Sequence, residues 1–187
     1  MSKIYTTIIE DAEDGSGDGI LTFPTEVIEQ IKQYFFQRND DEYYELIEKS
    51  IVDLEHIPPC DIIVNFAAES HVDNSINSSK VFFETNTKGV YNLLELLRGK
   101  IYNRPLFFHI STDEVYGDIR EANFIEEDKL NPGNPYSASK AAAEMFVLSY
   151  NKTYGIDYLI TRSSNNYGER QYVEKLIPQI IYSLENN

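Results

Sequence analysis

The sequence predicts an α/β domain built on a parallel sheet, and two observations carry that reading. Three short, nearly continuous apolar runs, "DIIVNFAA" (61–68), "PLFFHIS" (105–111) and "DYLITRSS" (157–164), have the texture of strands buried on both faces. Between them lie stretches with apolar residues at helical spacing, long enough to cross from one strand to the next. Strands alternating with such helices form βαβ units, whose crossovers make the strands parallel.

Taken in order, the first stretch, "IYTTIIEDAEDGSGDGILTFP", reads as two short antiparallel strands around an acidic, glycine-rich surface turn. "PTEVIEQIKQYFFQ" then places Val27, Ile28, Ile31, Tyr34 and Phe35 on one helical face, with Thr25 positioned as N-cap. "RNDDEYYELIEKS" reads as a second helical piece. Residues 1–50 are therefore expected to form a strand-turn-strand-helix segment, set apart from an α/β domain over 51–187. In that domain "TNTKGVYNLLELLRGK" predicts a helix at about 85–99, striped by Val90, Leu93, Leu94 and Leu97. "SASKAAAEMFVLSYNKTYG" predicts another at about 136–154, stopped by Gly155.

The chain has 187 residues, enough for one domain with a real core. Its 14 Tyr and 10 Phe belong to a globular composition and not to a disordered one. A net charge of −15 argues against nucleic acid and anionic membrane as partners. A small anion remains compatible, because local amides and single cations can hold it. No apolar run is long enough to span a bilayer, and the N-terminus lacks the layout of a signal peptide. With Cys60 alone there is no internal disulfide, and a reducing, cytoplasmic setting is expected.

Ligands of parallel sheets sit at the carboxyl ends of the strands. There the sequence places Thr112, Asp113 and Glu114, directly after "LFFHIS". Isolated, two acids after a strand are as well explained by a helix cap or a turn. A second constellation, "NPYSASK", sets Tyr136 and Lys140 four apart at a helix start, hence on one face. An ammonium beside a phenol favours phenolate and makes the tyrosine a usable base. A solvated helix start would explain that pair as well. "FAAESHVD" (66–73) follows another strand of the same sheet, so all three segments should meet. His71 and His109 have no second ligand at metal spacing, and no metal is expected.

"NFAAESHVDNSI", "FFETNTKGVYNLLELL", "FHISTDEVYGD", "NPYSASKAAAE" and "RSSNNYGERQYVEKLIP" together resemble the extended short-chain dehydrogenase/reductase family. Within it they resemble the nucleotide-sugar 4,6-dehydratase branch, typified by dTDP-glucose 4,6-dehydratase, over about residues 51–183. The resemblance implies a Rossmann-type doubly wound sheet, here partial, tightly bound NAD and a nucleotide-diphosphate sugar substrate. It implies Tyr136 as the base that assists oxidation at the sugar C4, Lys140 holding Tyr136 and the nicotinamide ribose, and Thr112 on the 4-oxygen. Glu114 would remove the C5 proton and Asp113 would protonate the departing C6 hydroxyl. Ala67, Ala68, Glu69, Ser70, Thr85 and Ser163 match cofactor-lining positions, and Asp53 with Leu54 an adenine-side turn. Asn165, Asn166, Glu174, Lys175 and Leu176 match positions facing the substrate nucleotide. A homodimer through helices of the domain is the implied assembly.

The sequence also departs from the family pattern. The family opens with a strand and a Gly-x-x-Gly-x-x-Gly pyrophosphate loop. Here Gly15, Gly17 and Gly19 are spaced by two and flanked by Asp14 and Asp18. Family members also continue well past "KLIP". The expectation is therefore weak dehydratase activity from this chain alone. The alternative is a non-catalytic relative acting as a binding or assembly module.

Overall fold

The computed structural model describes residues 4–8, 44–100, 102–118, 123–168, 171 and 175–186. Its first strands, β1 (Ile4–Ile8) and β2 (Tyr44–Glu48), pair in parallel, Ile4 opposite Tyr44 and Ile8 opposite Glu48. Over Tyr44–Glu48 this corrects the helical reading of "RNDDEYYELIEKS". Tyr, Leu and Ile suit an extended, paired strand, and a five-residue piece has too few turns to hold a helix by itself. The glycine turn at 15–19, the expected strand after it and the helix at 25–37 lie outside the described residues.

The second sheet is the one foreseen. Strand β3 (Ile62–Asn65) pairs in parallel with β4 (Leu106–Thr112), and β4 pairs in parallel with β5 (Tyr158–Ser163), in the order β3-β4-β5. The β3–β4 crossover is helical throughout much of its length. It comprises α1 (Val72–Asn77), α2 (Ser79–Phe82), a π-helical turn (Phe83–Lys88) and α3 (Gly89–Arg98). The helix expected over 85–99 thus starts as a wider turn. That turn carries three successive polar side chains inward, Thr85, Asn86 and Thr87, which a regular α-helix would fan outward. Beyond β4, a 3₁₀ turn (Asp113–Tyr116) and a loop lead to α4 (Pro135–Tyr154), and β5 is followed by α5 (Leu176–Asn186).

Helix α4 begins and ends on sequence cues. Asn134 caps it by accepting the Ser137 N–H at 2.9 Å, while Ser137 Oγ accepts the Asn134 N–H at 3.2 Å, a reciprocal capping box with Pro135 in the first turn. Gly155 ends it in the left-handed conformation (φ 66°).

Helices α3 and α4 cover one face of the sheet. Leu93, Leu94 and Leu97 of α3 and Ala143, Val147 and Tyr150 of α4 close over Phe107 of β4 and Ile156. Ile63, Tyr158 and Ile160 add to this layer from the neighbouring strands. On the other face Ile62, Val64 and Leu159 stay exposed among the described residues. The core face therefore holds the stability. Leu94→Ala should cost about 2–5 kcal/mol in urea unfolding, whereas Leu159→Ala, at a site 47% exposed, should cost under about 1 kcal/mol.

Candidate active site

The carboxyl end of β4 turns directly into the 3₁₀ helix because Thr112 caps it, its Oγ1 accepting the Glu114 N–H at 3.3 Å. The same hydroxyl faces the Asp113 carboxylate at 3.4 Å. Asp113 and Glu114 are half-buried on this turn. Glu114 Oε2 accepts a bond from Asn134 Nδ2 at 3.4 Å, so the turn touches the residue that caps α4. Gly117 ends the turn at φ 83°, and a Cβ there would run into the Asn131 carbonyl oxygen.

Two residues beyond Asn134, Tyr136 is buried in the first turn of α4, its ring edge-on to Phe82 with centroids 6.3 Å apart. One helical turn further, Lys140 is also buried and donates to the Ile110 carbonyl oxygen at 2.7 Å. Thr112, Tyr136 and Lys140 therefore gather at the end of β4, with Asp113 and Glu114 beside them. The electrostatics differ from the sequence expectation. Burial holds the Tyr136 phenol above its ordinary range; hydrogen bonding with Thr112 pulls the other way, and the Glu114 and Asp113 charges raise it further. The Lys140 ammonium is turned to Ile110, and burial lowers its pKa to about 8 against the opposing Glu144 charge.

The segment after β3 reaches the same end of the sheet. Ala67 and Ala68 are half-buried there, and Ala67 packs on the core. Glu69 is clamped by its main chain: its N–H donates to Asn86 Oδ1 at 2.8 Å and its carbonyl accepts from Asn86 Nδ2 at 3.0 Å. Asn86 Nδ2 also donates to Ser139 Oγ at 2.9 Å, next to Lys140. Thr85 is buried in the same π-helical turn. Ser163 lies opposite Thr112 across the β4–β5 pair and accepts from Asn166 Nδ2 at 3.4 Å, while Asn165 is exposed. Lys175 Nζ reaches Ser70 Oγ at 3.5 Å, which brings two of the sequence-expected site residues together. Leu176 opens α5 exposed, and Glu174 lies outside the described residues.

Asp53 and Leu54 follow β2, before the sheet that carries the site. Asp53 is exposed in a turn, and the Leu54 carbonyl is held by Asn92 of α3 at 3.0 Å. His109 is fully buried, meets Asn65 Nδ2 through Nδ1 at 3.2 Å, and is kept neutral by burial and then by Lys140, with a pKa near about 3. No group of three metal-ligating side chains forms among the described residues.

Sequence reasoning passed over Asn86, Asn134, Glu144 and Arg162. Two of them carry a legible signal. Arg162 is a cation inside a buried strand, and Glu144 sits four residues after Lys140 on a face that must be buried; each needs a partner.

The family described as GDP-mannose 4,6 dehydratase matches residues 22–187, so its match includes residues 22–50, ahead of the first motif. The low-salt glycan biosynthesis protein Agl12 of Haloferax volcanii is 41% identical over 177 residues, covering 92% of this chain and 56% of that protein. A dTDP-glucose 4,6-dehydratase of Streptomyces niveus is 44% identical over 81% of this chain and 43% of its own length. The crystal structure of a dTDP-glucose 4,6-dehydratase from Streptomyces venezuelae with NAD bound superposes with a TM-score of 0.74 at 38% identity, covering 83% of this chain and 49% of that one. The chain spans about half the length of the curated relatives it matches.

Lys140 gives a signed test of the geometry. Its folded pKa of about 8 lies below its usual 10.5, so between these values the unfolded chain binds more protons. Its contribution to stability is therefore greatest above pH 10.5 and is lost as pH falls through 8. Between pH 7.5 and 9.5 unfolding free energy should rise by about 1–2 kcal/mol on this account. In Lys140→Met that rise should disappear, as read by urea titrations at the two pH values.

Proposed function

The chain belongs to the GDP-mannose 4,6 dehydratase family, and we propose that it carries the catalytic sheet of an NAD-dependent lyase acting on a nucleotide-diphosphate hexose. dTDP-glucose or UDP-glucose is the proposed substrate and the 4-keto-6-deoxy sugar the product. One observation supports this above the others: Thr112, Tyr136 and Lys140 converge at the carboxyl end of β4 with Asp113 and Glu114 on the adjoining turn.

The residues present suit the nicotinamide end of NAD. The Lys140 ammonium has three N–H groups, and its hydrogen bond to Ile110 leaves donors for a ribose diol. When bound, NAD supplies the acceptor for a hydride from C4 and the donor for its return to C6. Tyr136 takes the proton of the C4 hydroxyl, and Thr112 orients that oxygen. Once C4 is a ketone the C5 proton is acidic. Glu114 removes it while Asp113 protonates the leaving C6 hydroxyl, which departs as water, and Glu114 gives the proton back to C5 as hydride is restored to C6. Acid and base are needed on adjacent carbons, and two consecutive carboxylates on one short turn meet that spacing.

The remaining assignments follow the same frame. Ala67, Ala68, Glu69, Ser70, Thr85 and Ser163 line the cofactor, with Asp53 and Leu54 on its adenine side. Asn165, Asn166, Glu174, Lys175 and Leu176 face the substrate nucleotide. Two copies associate through α3 and α4, where Tyr91, Met145 and Phe146 are exposed and Tyr91 meets Phe146 edge-on at 5.7 Å. Among the described residues no helix is long and apolar enough to cross a membrane, and the cytoplasm is the proposed site of action.

The test is incubation of the chain with NAD and dTDP-glucose or UDP-glucose, following the 4-keto product by its alkaline absorbance, beside a direct NAD titration. Glu114→Gln and Tyr136→Phe should each lower turnover by about 10²-fold or more, and Glu114→Gln should leave NAD affinity within about twofold, since it touches only the substrate side. Undiminished turnover in Glu114→Gln would overturn the assignment of the C5 base. NAD bound without turnover would favour the non-catalytic, binding reading.

A further inference from the structure

Beneath the site lies an ionic cluster, its carboxylate fully buried and its guanidinium half-buried, to which the reaction assigns no chemistry. Glu144 has no exposed surface and sits on α4 one turn after Lys140 and two after Tyr136. Arg162 comes from β5, opposite Ser111 and one residue before Ser163. Its Nη2 donates to Glu144 Oε2 at 2.7 Å and its Nε donates to both carboxylate oxygens at 3.0 and 3.2 Å. Its Nη1 donates to the Tyr116 hydroxyl at 2.5 Å and to the Glu126 carbonyl at 2.9 Å. Tyr116 ends the turn that carries Asp113 and Glu114, and its ring stacks on Phe124 at 4.7 Å. One guanidinium thus joins β5, α4, the 3₁₀ turn and the loop that follows it.

Stability alone does not account for such a group. A buried ion pair roughly cancels its own desolvation, and a well-packed apolar pair of the same volume is often as stable. What five directed bonds from a planar fork supply, and an apolar pair does not, is a fixed relative position. The two parts that the cluster joins are the two constellations of the site. We propose that Arg162, seated by Glu144, is a positioning residue that sets the Thr112–Asp113–Glu114 turn against Tyr136 and Lys140. The proposal deepens the reading of this site as catalytic and rests on it for its use, but its test does not depend on turnover.

The groups facing the two reporters are known. Tyr136 has Thr112, Asp113 and Glu114 around it; Lys140 has Glu144, the Ile110 carbonyl and neutral His109. The measurement is a pH titration of the full chain labelled with ¹³C in tyrosine and lysine side chains, followed by NMR, with thermal unfolding in parallel. Tyr116→Phe removes only the hydroxyl that Arg162 holds. It should fold, leave the Lys140 midpoint in place, and lower the Tyr136 midpoint by about half a unit or more as the carboxylate turn loosens. Glu144→Gln should lower the Lys140 midpoint. Should single variants at Glu144 or Arg162 fail to fold, the double variant Glu144→Leu with Arg162→Met keeps volume without charge, and there both midpoints should move. Because Glu144→Gln moves Lys140 through its lost charge alone, the Tyr136 midpoint decides: in folded Tyr116→Phe, a Tyr136 titration that superimposes on the parent's would overturn the proposal and leave the cluster a structural pair. If the dehydratase reading alone is wrong, the midpoints still shift while Glu114→Gln shows no catalytic loss.

Discussion

Parallel pairing of β4 on both of its edges is the constraint on which the site depends. A central parallel strand must be covered by crossover helices, and the right-handed crossover brings each helix back so that every strand ends on the same side. Thr112 and Ser163 face each other across one ladder for that reason. The segment after β3 arrives at the same edge because β3 runs the same way. Helix α4 then starts beside the strand end that it must cross, which puts Tyr136 and Lys140 next to Thr112. No single one of these residues selects the others. The sheet direction selects them all.

The site is stratified by burial. Tyr136 and Lys140 are sealed in the first two turns of α4, while Asp113 and Glu114 ride on a half-buried turn. The sealed layer is wired by polar groups that a core would otherwise exclude. Asn86 bonds both backbone groups of Glu69 and reaches Ser139, which ties the segment after β3 to the helix carrying Lys140. Thr87 adds a bond from its hydroxyl to the Ser139 carbonyl at 3.0 Å. These buried amide and hydroxyl groups repay their desolvation only when all are bonded, so they resist small displacements of either element. The π-helical turn is what allows Thr85, Asn86 and Thr87 to face inward together.

Much of this was legible in the sequence, and the reasons are local. The β3, β4 and β5 runs are short, apolar and separated by helical stretches, which selects a parallel sheet; the expected burial of both faces holds only for β4, since Ile62, Val64 and Leu159 are exposed. The end of α4 is written in Gly155, whose left-handed conformation a single residue fixes, whereas the Asn134 cap at its start was not read. "YELIE" misled because five residues of mixed character carry no period, and what makes them a strand is the distant partner Ile4–Ile8. The charge state around Tyr136 was also beyond a pattern. Two residues four apart on a helix share a face, but where a lysine's flexible end comes to rest depends on which acceptor lies within reach. Here that acceptor is the Ile110 carbonyl of another element.

That last point has a consequence for how Tyr136 can serve as a base. Its phenol lies above the usual range because it is buried, with two carboxylates on its exposed side. Phenolate near neutrality therefore requires positive charge to come closer than Lys140, turned to Ile110, stands here. Lys140 is one helical turn away and retains donors beyond the one given to Ile110. A diol accepting from those donors would hold the ammonium charged against its own desolvation and bring it toward the phenol. With a pKa of about 8 that ammonium is already mostly charged at neutral pH, so such a ligand would move the charge and not create it.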